Sequence, residues 1–283
     1  MTILQAIILG IVQGLTEYVP VSSSAHLILV PWLFGWNNAA ITSLPFDVAL
    51  HMGTLLAVLA YFAGDWVRLI RAGVVSIIER RVGNDPDRRL AWLIIIGCIP
   101  GGIAGLLGES AIEHWFHQPN VPIRPAALLL MAGIIALLGL LLYLADRASG
   151  HERPLASLSL KDAIVVGLAQ ALAVFPGVSR SGSTITAGLG LGLKREAAAR
   201  YSFLLSAPIV AGAGAKSLLD LLGTNLPAAD FAIFLAGFLA AAVSGYLTIR
   251  ALLGYLQKHS AALFVYYRWA LAVLIVVVVL ARG

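Results

Sequence analysis

Charged side chains are scarce in this chain. Lysine, arginine, aspartate and glutamate make up 12% of its 283 residues, 60% are hydrophobic, and the mean hydropathy is +0.91. Soluble domains are about 25% charged, so the composition excludes an ordinary soluble domain and predicts an integral membrane protein. The basic residues lie between apolar runs rather than on one polar face, which argues against a nucleic-acid partner.

Cysteine and a targeting segment are lacking as well. The single cysteine, Cys98, lies inside an apolar run and excludes a disulfide within the chain. The first residues, MTILQAIILG, have no basic segment before the apolar stretch and no small-residue cleavage site after it. We therefore expect no cleaved signal peptide.

Long and short apolar stretches alternate in a repeated order. A membrane-spanning helix needs about 20 apolar residues, and six stretches reach this length while four are too short or broken. The order short, short, long, long, long occurs twice along the chain. The long stretches are roughly 46–64, 90–108, 126–145, 203–222, 231–249 and 263–281, and the short ones are roughly 3–18, 24–35, 163–175 and 182–193.

The two halves of the chain also match in sequence at an offset of 157. Identical residues at this offset are Gly10 and Gly167, Gln13 and Gln170, Leu15 and Leu172, Val21 and Val178, Ser22 and Ser179, Ser24 and Ser181, and Phe46 and Phe203. These matches agree with the order of lengths and indicate an internal duplication in a single membrane domain, 1–283, with repeats at about 1–146 and 160–283. Broken apolar pairs at corresponding positions predict re-entrant helix–turn–helix elements.

Loop charges predict the orientation of the repeats. Three spans separate the re-entrant pairs, and an odd number of spans inverts the second half. With that topology, two loop arginines, Arg124 and Arg282, fall on one side of the membrane and fourteen basic residues fall on the other. The fourteen are Arg68, Arg71, Arg80, Arg81, Arg88, Arg89, Arg147, Arg153, Lys161, Lys194, Arg195, Arg200, Arg250 and Lys258. The positive-inside rule makes the second side the cytoplasm, so both termini are expected on the periplasmic side.

The sequence therefore predicts an all-α polytopic membrane protein with an inverted-topology repeat. It has six transmembrane helices and two re-entrant helix–turn–helix pairs that enter the membrane from opposite sides.

The two predicted turns carry polar residues at membrane depth. The first is QGLTEYVPVSSSAHL (13–27) and the second is FPGVSRSGSTI (175–185); each has a proline-bearing break followed by serines that open a short helix. Serine is a favoured N-cap, and capping or close packing accounts for individual serines. Glu17, His26 and Arg180 need another explanation, because a charged group at the bilayer centre costs about 2.5–3.5 kcal/mol on insertion scales.

Opposed entry of the two turns predicts an anion site. It brings two helix N-termini toward one point, and Arg180 adds a planar fork suited to phosphate oxygens. Glu17 would repel an anion unless it acts as a base or a cation bridges the two; Gln13, four residues earlier, shares its helix face, and oxygen ligands suit Mg²⁺. A serine beside a histidine, opposite an arginine, can supply nucleophile, proton carrier and charge clamp. The sequence favours hydrolysis of a phosphate group on a membrane-embedded substrate.

Two alternatives stay open on this evidence. Glu17 and Arg180 could form a structural ion pair that joins the halves, and inverted repeats with broken helices also build transporters, here of a lipid phosphate. His51 has no ligand spacing with the other histidines and is interpreted as an ordinary residue. Arg200 lies near the predicted cytoplasmic boundary and is not counted among the site residues.

At the two turns the chain resembles the undecaprenyl-diphosphate phosphatase family, also called the bacitracin-resistance proteins. The similarity extends over the whole chain, including the AARYSFLLSAP stretch (198–208). The first family motif, [E/Q]GxxE with PVSSS/T and G/A-H, is matched by Gln13, Gly14, Glu17, 20–24 and His26, and the second, PGxSRSGxT, by Pro176, Gly177, 179–182 and Thr184. Many members have glutamate where this chain has Gln13, which leaves one carboxylate at this turn.

The resemblance implies an activity, a cofactor and a location. It implies removal of one phosphate from undecaprenyl diphosphate, which yields inorganic phosphate and recycles the lipid carrier for peptidoglycan synthesis, with bacitracin resistance as a consequence. It also implies a divalent cation, Mg²⁺ before Ca²⁺, held by Glu17 with Gln13 as a second candidate ligand. The expected partners are a polyprenyl diphosphate and membrane lipids, in the bacterial inner membrane, and a homodimer is a reasonable expectation.

The resemblance also assigns roles to individual residues. Glu17 would serve metal or proton chemistry, and Arg180 would hold the diphosphate. Ser23 or His26 would be the nucleophile, with Ser23 preferred and His26 tuning it. The residues expected to line the phosphate cradle are Gln13, Ser22, Ser24, Ser179, Ser181, Gly182 and Thr184.

Overall fold

The structure of the protein is a computed structural model that describes residues 2–38, 40–41, 43–116, 124–148, 150–221 and 228–282. These residues form α-helices, two single-turn 3₁₀ helices (Leu155–Ser157 and Leu172–Val174) and one isolated β-bridge. The α-helices are α1 (Thr2–Tyr18), α2 (Ser23–Phe34), α3 (Leu44–Tyr61), α4 (Ala63–Ile78), α5 (Pro86–Phe116), α6 (Pro125–Ala148), α7 (Leu160–Ala171), α8 (Arg180–Gly190), α9 (Arg195–Leu221), α10 (Ala228–Leu256) and α11 (Ala262–Arg282).

Both predicted re-entrant pairs consist of two short helices joined by a break. In the first pair, α1 has 17 residues and α2 has 12; in the second, α7 has 12 and α8 has 11. At 1.5 Å per residue these helices are between about 16 and 26 Å long. Each is shorter than the hydrocarbon core of a bilayer, about 30 Å, so the breaks lie at membrane depth.

Among the helices of the described residues, four are long and apolar enough to cross a membrane. They are Pro86–Gly108 within α5, Pro125–Ala148, Phe231–Leu256 within α10, and Ala262–Arg282. A fifth span is counted if α3 and α4, which meet at an angle of 80°, are taken together. The predicted span 203–222 falls mainly in α9, which is not among these five. The chain is an all-helical, polytopic membrane protein.

The helix α4 was not expected from the sequence, which places the basic residues after the first span in a loop. It exposes apolar side chains at helical spacing, including Val67, Ile70, Val74 and Ile77, and it carries arginines among them. This pattern is typical of a helix that lies in the plane of the membrane interface. The search for long apolar stretches in the sequence misses α4, because polar residues interrupt each of its apolar stretches.

Equivalent helices of the two halves make equivalent glycine contacts. The helix α1 packs on α10, and α7 packs on α5. A Cβ at Gly10 would collide with the carbonyl oxygen of Gly237, and one at Gly167, its counterpart at the offset of 157, would lie 2.6 Å from the carbonyl oxygen of Gly97. Small residues let membrane helices approach closely. Each re-entrant pair thus packs on a long helix of the other half, and the two halves interlock.

The close approach of α1 to α10 predicts the effect of adding one methyl group. Gly10→Ala should lower the free energy of unfolding by about 1–3 kcal/mol, because the obstructing atom belongs to the backbone and cannot rotate away. Thermal unfolding of the purified protein in detergent would measure this. Gly133→Ala in α6 is the matched control, since nothing lies within 4 Å of its Cβ; it should be neutral or stabilising. Equal stability of the two variants would contradict the packing described.

Candidate active site

Each break contains a serine with an unusual backbone conformation. Ser22 (φ 77°) and Ser179 (φ 70°) occupy equivalent positions of the repeat and adopt the left-handed region that favours glycine. Such conformations cost about 1–3 kcal/mol each and persist where the surroundings impose them. The predicted serine cap is present at Ser179, whose hydroxyl accepts from the N–H of Gly182 at 3.0 Å. Ser22 makes no such bond and contacts the Ser24 hydroxyl at 3.3 Å.

The two breaks meet inside the protein. The Ser181 hydroxyl, from the second break, donates to the carbonyl of Val19 in the first at 3.0 Å. Arg180 Nη2 donates to Glu17 Oε1 at 2.7 Å. We call these two segments tip 1 (Val19–Ser24) and tip 2 (Phe175–Ser181). The contact expected from opposed entry of the two re-entrant pairs is therefore present.

Glu17 is the centre of the polar contacts between the tips. Its side chain is 5% exposed. Besides Arg180, it accepts from the Ser23 hydroxyl at 2.6 Å and from Gln13 Nε2 at 3.0 Å, both on Oε2. A buried carboxylate is stable only when it is paired and its oxygens are hydrogen-bonded, and Glu17 meets both conditions. The proton acceptor that the structure places next to Ser23 is thus a carboxylate.

His26 lies in the first turn of α2, directly after tip 1, but does not contact the Ser23 hydroxyl. Its Nδ1 lies 2.6 Å from the carbonyl oxygen of Ser22, and its Nε2 lies 2.6 Å from the Tyr267 hydroxyl. Because a carbonyl can only accept, Nδ1 carries the hydrogen, and in the neutral ring Nε2 accepts from Tyr267. Both ring nitrogens are therefore engaged, and the ring also stacks on Tyr267.

Of the other predicted cradle residues, Ser24 and Ser181 lie in the tips, and Gly182 and Thr184 lie in the first turns of α8, directly after tip 2. The Thr184 hydroxyl donates to the carbonyl of Arg180 at 2.8 Å and lies 2.7 Å from the Ser202 hydroxyl. Gly182 lies against Arg268, since a Cβ there would be 2.9 Å from Arg268 Nη1. These bonds shape the two tips.

Arg268 contacts both tips, which the sequence interpretation missed. It belongs to α11, within the predicted span 263–281, and it is 0% exposed. Its guanidinium donates to the carbonyl of Pro20 in tip 1 at 3.1 Å, and to those of Gly177 and Val178 in tip 2 at 3.1 and 3.4 Å. An arginine within an apolar span is by itself a sign of function, and that signal was present in the letters YYRWALAV.

His51 was interpreted as an ordinary residue, but it lies beside Glu17. Its Nε2 is 3.7 Å from Glu17 Oε2, and its Nδ1 is 2.7 Å from the carbonyl oxygen of Asp47. No spacing along the chain could show this, because the contact joins α3 to α1. Tyr267 was missed for the same reason.

Arg200 contacts α4 and its neighbourhood. It pairs with Asp65 at 2.5 Å and lies over the ring of Phe62. Together with Arg68 and Arg89 it lines a cavity of about 230 Å³ between α4, α5 and α9, and none of the predicted site residues lines this cavity.

The residues near Glu17 fit a hard divalent cation that takes part of its ligands from the protein and the rest from phosphate oxygens and water. Gln13 Oε1 is buried and has no hydrogen-bond partner, while Nε2 of the same amide donates to Glu17 Oε2. The amide that contacts the carboxylate therefore has an oxygen with no donor bonded to it. Within the described part of the chain, no three histidine, cysteine, aspartate or glutamate residues form a metal cluster. A cage made only of protein groups is therefore not seen there, whereas Mg²⁺ typically takes one or two carboxylates together with phosphate oxygens and water.

The chain matches a known protein family over nearly all of its length. Residues 6–274 match the family described as bacitracin resistance protein BacA. The chain belongs to this family. Both tips, Glu17, Arg180 and Arg268 fall within the matched residues.

Curated relatives align with this BacA-family chain over nearly its full length. It is 48% identical to the undecaprenyl-diphosphatase of Thermomicrobium roseum, over 99% of both chains. It is 49% identical to that of Moorella thermoacetica, over 98% of both, and 45% identical to that of Caldicellulosiruptor bescii, over 100% of both. No large insertion or missing segment separates it from them.

The buried ion pair between Glu17 and Arg180 can be tested with a double-mutant cycle of stability measurements. Arg180→Met should lower the free energy of unfolding by about 3–5 kcal/mol, because it leaves the Glu17 carboxylate buried without its cation. Adding Glu17→Gln to that variant should restore much of the loss, because the uncompensated charge is removed. Thermal or denaturant unfolding in detergent would measure both.

The exposed pair Arg68–Asp65 provides a control for this cycle. Arg68 has a side chain that is 60% exposed, so Arg68→Met should change stability by less than about 1 kcal/mol. If Arg180→Met were as mild as Arg68→Met, the burial and pairing described for Glu17 would be wrong.

Proposed function

We propose that this protein hydrolyses undecaprenyl diphosphate to undecaprenyl phosphate and inorganic phosphate. The observation that carries the proposal is the contact of the Ser23 hydroxyl with Glu17 at 2.6 Å, while the other Glu17 oxygen is held by Arg180 from the opposite tip. A carboxylate bonded to a hydroxyl can activate it for attack on phosphorus, and two helix N-termini at the same point can stabilise the phosphate charge. The full-length relatives named undecaprenyl-diphosphatase support the same reaction.

In the first step, the Ser23 oxygen attacks the terminal phosphorus of the lipid diphosphate. The Ser23 proton moves to Glu17 Oε2, a new O–P bond forms, and the bond between that phosphorus and the bridging oxygen breaks. Undecaprenyl phosphate leaves with the electron pair of the broken bond. The guanidinium donors of Arg180 that are not bonded to Glu17 bind the phosphate oxygens.

In the second step, a water molecule attacks the phosphoserine. The bond between phosphorus and the Ser23 oxygen breaks, and one water proton reaches that oxygen through Glu17. Before this attack, the proton that Glu17 took up in the first step is lost to solvent, which frees Oε2 to accept the water proton; inorganic phosphate is then released. Glu17 therefore acts as a base for the serine and then as a proton carrier for the water.

His26 acts in this scheme on the shape of tip 1. Its Nδ1–H bonds to the carbonyl of Ser22, the residue with the left-handed backbone, and Tyr267 holds its other nitrogen. The imidazole thereby fixes the turn that presents the Ser23 hydroxyl. Loss of His26 should loosen the site without removing the nucleophile or its base.

A divalent cation, Mg²⁺ before Ca²⁺, would be held by the Glu17 carboxylate with the Gln13 amide oxygen as second ligand. When bound, such a cation neutralises phosphate charge in the transition state. The unpartnered Gln13 Oε1 supports this assignment. The arrangement explains how a chain with glutamine at this position keeps an oxygen ligand there.

The reaction takes place in the bacterial inner membrane, with both chain termini on the periplasmic side. The excess of basic residues in the loops assigned to the cytoplasm supports this orientation. The lipid-phosphate transporter considered from the repeat alone gains no support from a serine bonded to a carboxylate, and the relatives carry the name of a hydrolase.

Metal dependence gives a direct test. Purified protein in detergent with Mg²⁺ should release inorganic phosphate from a polyprenyl diphosphate, and EDTA should abolish the release until Mg²⁺ is restored. A colorimetric phosphate assay measures it, and Glu17→Ala should stay inactive whether or not Mg²⁺ is added. If the wild-type protein released no phosphate but moved labelled lipid between vesicle leaflets, the transporter would replace the phosphatase.

The nucleophile is tested by comparing Ser23 with His26. Ser23→Ala should reduce phosphate release by at least about a hundredfold, whereas His26→Ala should leave a measurable rate because the serine and its base remain. Rapid quenching with labelled substrate should trap label on wild-type protein and none on Ser23→Ala. Ser183→Ala, a tip-proximal serine bonded to the Arg180 carbonyl, is the control and should keep the label. Labelling of Ser23→Ala would exclude Ser23 as the nucleophile.

A further inference from the structure

Arg268 connects three separate parts of the fold. It lies on α11, outside both tips, and its guanidinium donates to the carbonyls of Pro20 in tip 1 and of Gly177 and Val178 in tip 2. Its Nε donates to the carbonyl of Ile135 in α6 at 3.0 Å. One planar group with five donors in fixed directions thus sets the separation of the two tips.

The charge of Arg268 is not neutralised locally. Within the described part of the chain, no carboxylate lies within 4.0 Å of it, and all its hydrogen bonds go to carbonyls. Arg180, in contrast, is paired with Glu17 at 2.7 Å, so that pair is neutral as a whole. The positive charge near the tips therefore comes from Arg268 and from the N-termini of α2 and α8.

Arg268 also removes a source of repulsion from the breaks. A break in a helix exposes carbonyl oxygens, and their partial negative charge opposes an anion. The carbonyls of Pro20, Gly177 and Val178 are instead bonded to the guanidinium. Gly182, a residue of the second motif, makes room for it, because a Cβ there would lie 2.9 Å from Nη1.

We propose that Arg268 is a positioning residue of the phosphatase site, which fixes the two tips relative to each other and supplies the uncompensated positive charge that attracts the diphosphate. It acts through the tips and need not touch the substrate. The inference rests on the proposed function and adds to it a residue outside both sequence motifs.

Two substitutions separate the charge of Arg268 from its geometry. Arg268→Lys keeps the charge but cannot bond three elements at once, whereas Arg268→Gln removes the charge. Calorimetric titration of the purified proteins with inorganic phosphate measures the anion site without turnover. We expect Arg268→Lys to bind phosphate within about threefold of wild type, and Arg268→Gln to bind it about tenfold more weakly, a loss of about 1.4 kcal/mol. In the phosphate-release assay, kcat should fall at least about tenfold in both.

Arg282→Gln is the matched control. Arg282 is on the same helix and also donates to backbone carbonyls, those of Trp32 and Leu33, but away from the tips. It should match wild type in both measurements. Size-exclusion profiles and circular dichroism establish that each variant is folded. If Arg268→Gln does not fold, Arg268→Lys still tests the positioning role, because its kcat should fall while its affinity for phosphate stays the same.

The result that would overturn the inference differs from one that would overturn the function. If wild-type protein releases phosphate and Arg268→Gln binds phosphate and turns over like wild type, Arg268 has no positioning role. If Arg268→Lys loses phosphate affinity as far as Arg268→Gln does, the charge of Arg268 is not what attracts the phosphate, and that part of the inference is wrong. If wild-type protein releases no phosphate, the proposed function itself fails.

Discussion

Irregular backbone inside an apolar layer must have its polar groups bonded by protein, and the structure depends on how this is done at the two breaks. Three carbonyls of the breaks bond to Arg268, and a fourth, that of Val19, accepts from Ser181 of the opposite tip. Neither break satisfies itself. Each needs groups from the other half or from α11, so the two halves fold as one interlocked unit.

The same requirement creates the chemistry of the site. Stopping two helices at membrane depth brings their N-termini together and makes a charged pair, Glu17 and Arg180, tolerable between them. The structural ion pair considered from the sequence is therefore compatible with a site, because the Glu17 oxygen that does not face Arg180 is the one that accepts from Ser23. One contact joins the halves and aligns a proton acceptor with a hydroxyl.

The repeat conserves the backbone of the tips and divides the chemistry between them. Ser22 and Ser179 correspond at the offset of 157 and share a left-handed conformation. At the same offset, however, Ser23 corresponds to Arg180, and Glu17 corresponds to Val174. Tip 1 and the helix before it thus hold the Ser23 hydroxyl and the Glu17 carboxylate, and tip 2 holds the Arg180 guanidinium. Neither half alone contains a complete site.

The sequence by itself determined the apolar lengths, the two breaks, the residue types in them and the membrane class, because these follow from composition and local pattern. It also led to Glu17 and Arg180, since ionisable groups in apolar segments stand out, and the family resemblance pointed to Ser23. It did not reveal α4, whose apolar residues are interrupted by arginines. Only the tertiary structure decided that His51, Tyr267 and Arg268 reach the tips and that Ser23 faces Glu17 rather than His26. Those contacts depend on helix packing and side-chain direction, which spacing along a chain does not encode.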